Sequence, residues 1–141
     1  MTHSSSEASG MITLSQLQDC PHMDGLPKEA LAQVAAYFQA LSEPTRLSLL
    51  NLMRGGERSV GELAQLSGFT TANVSRHLTL LMHRGLVERE SRGTSVYYRI
   101  ADESVYALCD LVCGNVDRHL ERKARSREVF ARTAKRARAS R

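Results

Sequence analysis

The chain has 141 residues, 42% of them hydrophobic, which suits one globular domain with flanking segments rather than several domains. No apolar run reaches the roughly 18 residues needed to span a bilayer, and Met1–Ser6 lacks the basic and apolar blocks of an export signal. Three cysteines are too few for a disulfide framework, so a cytoplasmic protein with reduced thiols and no membrane partner is expected. The net charge of +4 is unevenly spread: residues 121–141 hold nine basic and two acidic side chains, net +7, which leaves the first 120 residues at −3.

Residues 1–26 read as a flexible arm. The first ten are small, polar and Ser-rich, and a short amphipathic piece (Ile12, Leu14, Leu17) ends at Asp19-Cys20-Pro21-His22. A helix is expected from Pro27, a good first-turn residue, through Leu31, Val34, Ala35, Phe38 and Leu41. Pro44 starts a second helix carrying Leu47, Leu49, Leu50 and Met53, which Gly55-Gly56 closes.

The most informative stretch is 59–81. A short helix, a Gly-containing turn and a second helix with an apolar inner stripe follow one another there, the pattern of a helix-turn-helix. The second helix carries Thr70, Thr71, Asn73, Ser75, Arg76 and His77 in its first turns. All can hydrogen-bond to base edges or phosphates, so double-stranded DNA is the expected partner. For His77, helix packing is the other role its place allows, and His83 near the helix end suits the dipole when protonated.

Beyond Gly85 the pattern alternates. Leu86–Glu90 reads as a strand, Ser91–Thr94 as a turn and Ser95–Ile100 as a returning strand. A hairpin after a recognition helix makes a wing, whose tip would offer Arg92 and Thr94, and whose strands Arg89 and Arg99, to phosphate or the minor groove. A last helix is expected from Asp102 as N-cap, with Val105, Leu108, Val112, Val116 and Leu120 on one stripe and Leu111 off it. Its surplus apolar surface, like that of the first helix, predicts a homodimer, which suits a palindromic operator. The fold class is therefore mainly α with a small β-hairpin wing: a winged helix-turn-helix over residues 27–120, dimeric through its first and last helices. Residues 121–141 follow as a basic tail, either a solvated, partly disordered end or an electrostatic arm for phosphate.

Four separated motifs now occur in order: Ala40-Leu41-Ser42-Glu43-Pro44-Thr45-Arg46-Leu47, then Val74-Ser75-Arg76-His77-Leu78 with Leu81, then Gly85-Leu86-Val87, then Gly93–Ile100. Together they resemble the ArsR/SmtB family of transcriptional repressors over roughly residues 27–120. The resemblance implies a homodimeric repressor that leaves its operator when an inducer binds. Two sensing sites common in that family do not match here. Val60–Leu66 has no cysteine, and the zinc-type pattern on the last helix keeps only Asp102, with Ser104, Asn115 and Arg118 at the remaining positions.

The last helix instead offers Cys109 and Cys113. Residues four apart on a helix stand about 5–6 Å apart at Cβ, and two thiolates select soft, thiophilic centres. With no permanent cofactor indicated, the expected inducer is trivalent arsenic or antimony at Cys109 and Cys113, as the resemblance allows. Cys20, from either subunit, or a small-molecule thiol would be a third ligand. Buried cysteine is also an ordinary small hydrophobe, so core packing is the plain alternative for the pair. Redox or persulfide sensing and cadmium, lead or mercury sensing are further alternatives, as is a constitutive DNA-binding module. His22 and His119 are lesser ligand candidates. No nucleophile–base pair, Gly-rich phosphate loop or paired carboxylate points to an enzyme.

Overall fold

The computed structural model describes residues 23–140; Cys20, His22 and the amphipathic piece around Leu14 lie outside them. Helix α1 spans Lys28–Leu41, with Pro27 at its N-cap, and α2 spans Pro44–Leu52. Strand β1 covers Arg58–Ser59 and leads directly into α3, Val60–Ser67. Helix α4 spans Thr71–His83, β2 Val87–Arg92, β3 Ser95–Ile100, and α5 runs from Ser104 to Ala139. Described residues up to Val105 form one compact unit and those from Tyr106 a second.

In the first unit, α2, α3 and α4 pack on one another and α4 also meets β2. Leu49 of α2, Leu63 of α3, and Val74, Leu78 and Leu81 of α4 are all completely shielded from solvent. The 4- and 3-residue steps from Val74 to Leu81 put one stripe of α4 inward and leave the rest outward. Truncating such a side chain removes its transfer energy and leaves a cavity.

The wing is larger than the expected hairpin. Its sheet has three strands in the order β1-β3-β2, all antiparallel. Arg58 and Ser59 pair with Tyr98 and Tyr97, and β2 runs two residues further than expected, pairing Arg92 with Ser95. The turn shrinks to Gly93-Thr94, where Gly93 at φ +60° supplies the left-handed backbone a tight hairpin demands. A two-residue strand has no readable periodicity, which is why β1 escapes sequence inspection.

The junction at 42–46 is built from its own side chains. Glu43 is the N-cap of α2, and one of its carboxylate oxygens accepts from the amide of Arg46 at 3.0 Å. Pro44 follows at the first helical position, where its missing N–H costs nothing. Arg46 turns back so that Nη2 donates to the carbonyl of Gln39 at 3.1 Å and Nε to that of Ala40, while the Ser42 hydroxyl donates to Gln39 at 2.8 Å. The end of α1 and the start of α2 are thus satisfied by one short segment.

The last helix starts where Asp102 accepts from the amide of Ser104 at 2.9 Å, a bond that holds its carboxyl below the usual range. It then continues without interruption through the basic segment to Ala139. No helix among the described residues is long and apolar enough to cross a membrane.

Two outcomes test this account. Leu63→Ala should lower unfolding free energy in urea by about 2–5 kcal/mol. Glu43→Ala should lower the urea midpoint, because the amide of Arg46 loses its cap. Desolvation is the largest influence on the Glu43 carboxyl and pushes it up. It is outweighed by the amides of Arg46 and Thr45, the Thr45 hydroxyl and His77, so the net shift is downward. The cap's contribution is therefore complete above the ordinary glutamate value of about 4.3 and is lost as pH falls through the depressed one. Urea unfolding of Glu43→Gln should accordingly show a flatter acid limb than wild type.

Candidate nucleic-acid interface

The helix-turn-helix is terminated and restarted by local chemistry. Ser59 Oγ accepts from the amide of Glu62 at 3.1 Å and donates to its carboxylate at 3.1 Å, a side-chain N-cap for α3. Gly68, at φ +77°, closes α3 with its amide on the carbonyl of Ala64. Two residues on, Thr70 Oγ1 accepts from the amide of Asn73 at 3.2 Å and starts α4.

With Val74, Leu78 and Leu81 buried, the opposite face of α4 is fixed in place. Thr70, Thr71 and Arg76 are exposed; Asn73 and Ser75 are half-buried. Asn73 Oδ1 accepts from Arg76 Nη2 at 2.7 Å, which holds the guanidinium over the first turn and leaves its other N–H groups for a partner. The Thr79 hydroxyl is turned back onto the carbonyl of Ser75 at 2.8 Å. An exposed helix start carrying threonine hydroxyls, an amide and a planar guanidinium has the donors that base edges in a major groove accept.

His77 sits differently from its neighbours. Its side chain is 16% exposed and Nδ1 lies 3.8 Å from a carboxylate oxygen of Glu43. The ring faces the α1–α2 junction, so its contact within the described residues is helix packing. Sequence inspection placed His77 on the helix but missed Glu43 as its neighbour, which no short-range spacing reveals.

The wing arginines are not held out as free cations. Arg92 makes a two-pronged bond to Glu57 at 2.5 and 3.0 Å, a bond to Glu90 at 2.7 Å, and lies 4.8 Å from the centroid of the Tyr97 ring. Arg99 bonds to Glu88 at 2.8–2.9 Å and to Glu90 at 3.3 Å. Glu90 is held below the ordinary carboxyl range first by its hydrogen bond from Arg92, and Arg92 is raised first by Glu90 and then by Glu57. The register explains this: Glu88, Glu90 and Arg92 share one face of β2, and Arg99 stands directly opposite Glu88. These side chains remain about half exposed, so phosphate could compete for them. Thr94, in the turn, and Arg89 are exposed.

On α5, Cys109 is half-buried and Cys113, one turn on, is exposed. Among the described residues no three His, Cys, Asp or Glu side chains converge to complete a metal site, and Cys20 is not among those residues.

Arg76→Ala should abolish sequence preference in duplex-binding titrations. Arg92→Ala should weaken binding while leaving the preferred sequence unchanged, because it touches the wing scaffold rather than the reading helix.

The family model for bacterial regulatory proteins of the arsR family matches residues 43–89. The chain is 42% identical over 90 residues to the HTH-type transcriptional regulator Rv0324 of Mycobacterium tuberculosis, covering 64% of this chain but only 40% of that longer protein. It is 32% identical over 87 residues to the arsenical resistance operon repressor of Bacillus subtilis, covering 61% of this chain and 83% of that repressor. Among solved structures it resembles a homodimeric winged helix-turn-helix DNA-binding domain, Mb0332 of Mycobacterium bovis, with 40% identity, a TM-score of 0.61, and coverage of 70% of this chain and 94% of that one. These relatives are a transcriptional regulator and an operon repressor. With the three-stranded wing, the buried stripe of α4 and the Ser42–Arg46 junction in place, the chain belongs to the arsR family of winged helix-turn-helix regulators.

Proposed function

We propose that the chain is a homodimeric repressor that binds a palindromic operator through α4 and releases it when a thiophilic inducer, trivalent arsenic or antimony, engages Cys109 and Cys113. The observation that carries the DNA-binding reading is the two-sided character of α4: Val74, Leu78 and Leu81 sealed inward, Thr70, Thr71 and Arg76 outward. Ser75 and Asn73 support the same surface from its edge, with Arg92 and Thr94 touching the flanking backbone.

Dimerisation is supported by apolar surface left open on two helices. Leu31 and Phe38 of α1, and Leu111, Val112, Val116 and Leu120 of α5, are all more than a third exposed. A second copy would cover such surface, and the solved relative is described as homodimeric. Two α4 helices of a dimer would then meet successive major grooves about 34–36 Å apart.

The donors support this inducer class. Cys109 and Cys113 supply two soft sulfurs, and a trivalent metalloid accepts two or three thiolates, the third from Cys20 or a small thiol. A relative of this chain is an arsenical resistance operon repressor. For induction, the inducer must bind the DNA-free dimer better than the DNA-bound one. A coupling of about 1–3 kcal/mol would weaken operator affinity roughly 5–150-fold.

The test starts from duplexes enriched by the chain itself from a random library, titrated with and without As(III), Sb(III), Cd(II) and polysulfide. As(III) or Sb(III) should release the duplex from wild type and leave Cys109→Ser/Cys113→Ser bound. Release from that double variant would remove the pair as the sensor, and release by polysulfide alone would make it a redox or persulfide switch. Indifference to every thiol reagent would leave a constitutive DNA-binding module.

A further inference from the structure

The electrostatics of the first unit pose a problem for a DNA-binding protein. Residues 1–120 carry net −3, and the wing arginines Arg92 and Arg99 are already engaged by Glu57, Glu88 and Glu90. Duplex DNA presents about one negative charge per 1.7 Å of axis. A net-acidic body gains little non-specific attraction to such a polyanion, which a separate cationic element would supply.

That element is the second half of α5. From Glu121 to Ala139 the helix is unbroken and exposed throughout, and at 1.5 Å per residue it is about 28 Å long. It carries eight basic side chains against Glu121 and Glu128, and beyond Glu128 no Asp or Glu remains. Arg122, Arg125, Arg132 and Arg136 fall within an arc of about 80° at 100° per residue. They form one straight stripe, interrupted by Val129. Arg125 and Arg132 make exposed i,i+4 pairs with Glu121, at 4.0 Å, and Glu128, at 2.5 Å. Pairs of this order and exposure support the isolated helix and yield readily to a stronger anion. Arg136 and Arg138 in the last turn also complement the helix dipole.

We propose that residues 121–139 are a preformed helical arm whose arginine stripe (Arg122, Arg125, Arg132, Arg136) binds the phosphate backbone of duplex DNA without reading sequence. The arm supplies the non-specific affinity that the acidic first 120 residues lack. It rests on the DNA-binding reading above but not on the identity of any inducer. Because the helix exists before contact, engaging DNA requires no folding of the arm, and its four guanidinium groups meet phosphates as a set.

The experiment compares full-length wild type with R122Q/R125Q/R132Q/R136Q. Binding is followed by anisotropy on a mixed-sequence duplex and on a duplex enriched by wild type from a random library, across a salt series. At about 0.9 per phosphate contact, the slope of log affinity against log salt should fall by up to about 3.6 per protomer. Between about 50 and 200 mM salt, wild type should then lose roughly 100-fold more affinity than the variant. The preference for the enriched duplex over the mixed one should be unchanged, and helix content by circular dichroism retained. Lysine at the same four positions should restore the slope, which separates charge from any loss of helix in the glutamine variant. An unchanged slope in a helical variant overturns the proposal, as does a slope that lysine fails to restore. A changed sequence preference would make the arm a reader and overturn it too. Binding of wild type to phosphatidylserine vesicles with no variant effect on DNA would assign the stripe to membranes instead. A wild type that enriches no sequence defeats the DNA-binding reading itself, whereas enrichment with an unaltered salt slope defeats only the arm.

Discussion

Three helices meet at one short segment, Ser42 to Arg46. Glu43 caps α2 through the amide of Arg46 and lies 3.8 Å from His77 in the middle of α4, while Arg46 in the same segment satisfies the last carbonyls of α1. A helix end buried without partners is costly because its orphan amides or carbonyls lose water and gain nothing. Here two helix ends share a five-residue solution, Ser42 to Arg46, and the same carboxylate faces the helix that carries the reading residues. The orientation of α4 is therefore set from two sides: by apolar packing of Val74, Leu78 and Leu81 below, and by the polar junction at its middle. The Ser42–Arg46 signature is thus a structural joint within the chain.

Charge is distributed with a similar division of labour. The wing has four arginines, Arg58, Arg89, Arg92 and Arg99, but Glu57, Glu62, Glu88 and Glu90 lie within ion-pair distance of three of them. These pairs are exposed and individually weak. Four arginines and four glutamates leave the wing with no net charge, while the excess of positive charge lies at the end of α5. In the proposed reading, base contacts and bulk attraction to a polyanion thus fall to α4 and to the end of α5, apart from the charge-balanced wing.

How much of this is legible in the sequence depends on the range of the interactions involved. The helix-turn-helix is written in short spacings: Gly68 for the left-handed turn, Thr70 for the cap, and the 4- and 3-residue steps of Val74, Leu78 and Leu81. Pro44 and Asp102 mark helix starts for the same local reasons. What escapes is long-range. Glu57 and Arg92 are 35 residues apart, so the capture of the wing-tip arginine has no local signal, although the Glu88–Arg89–Glu90 alternation opposite Arg99 hints at cross-strand pairing. The helical state of 121–139 has no apolar stripe to announce it. Its content of Ala, Arg, Lys and Glu, all strong helix formers with acid placed four residues before base, carries the information instead.

Strand β1 has a mechanical consequence out of proportion to its two residues. Ser59 pairs with Tyr97 in the sheet and, through its hydroxyl, closes the first turn of α3. One residue is thus both the outermost rung of the wing and the first anchor of the reading head. A change in wing tilt is transmitted to the start of α3 with no slack between them. Insertions should accordingly be tolerated at Gly93-Thr94, where the chain only reverses direction, and not between Ser59 and Val60, where a single added residue would break the rung or the cap. Length variation among natural and engineered versions of this chain should follow that asymmetry.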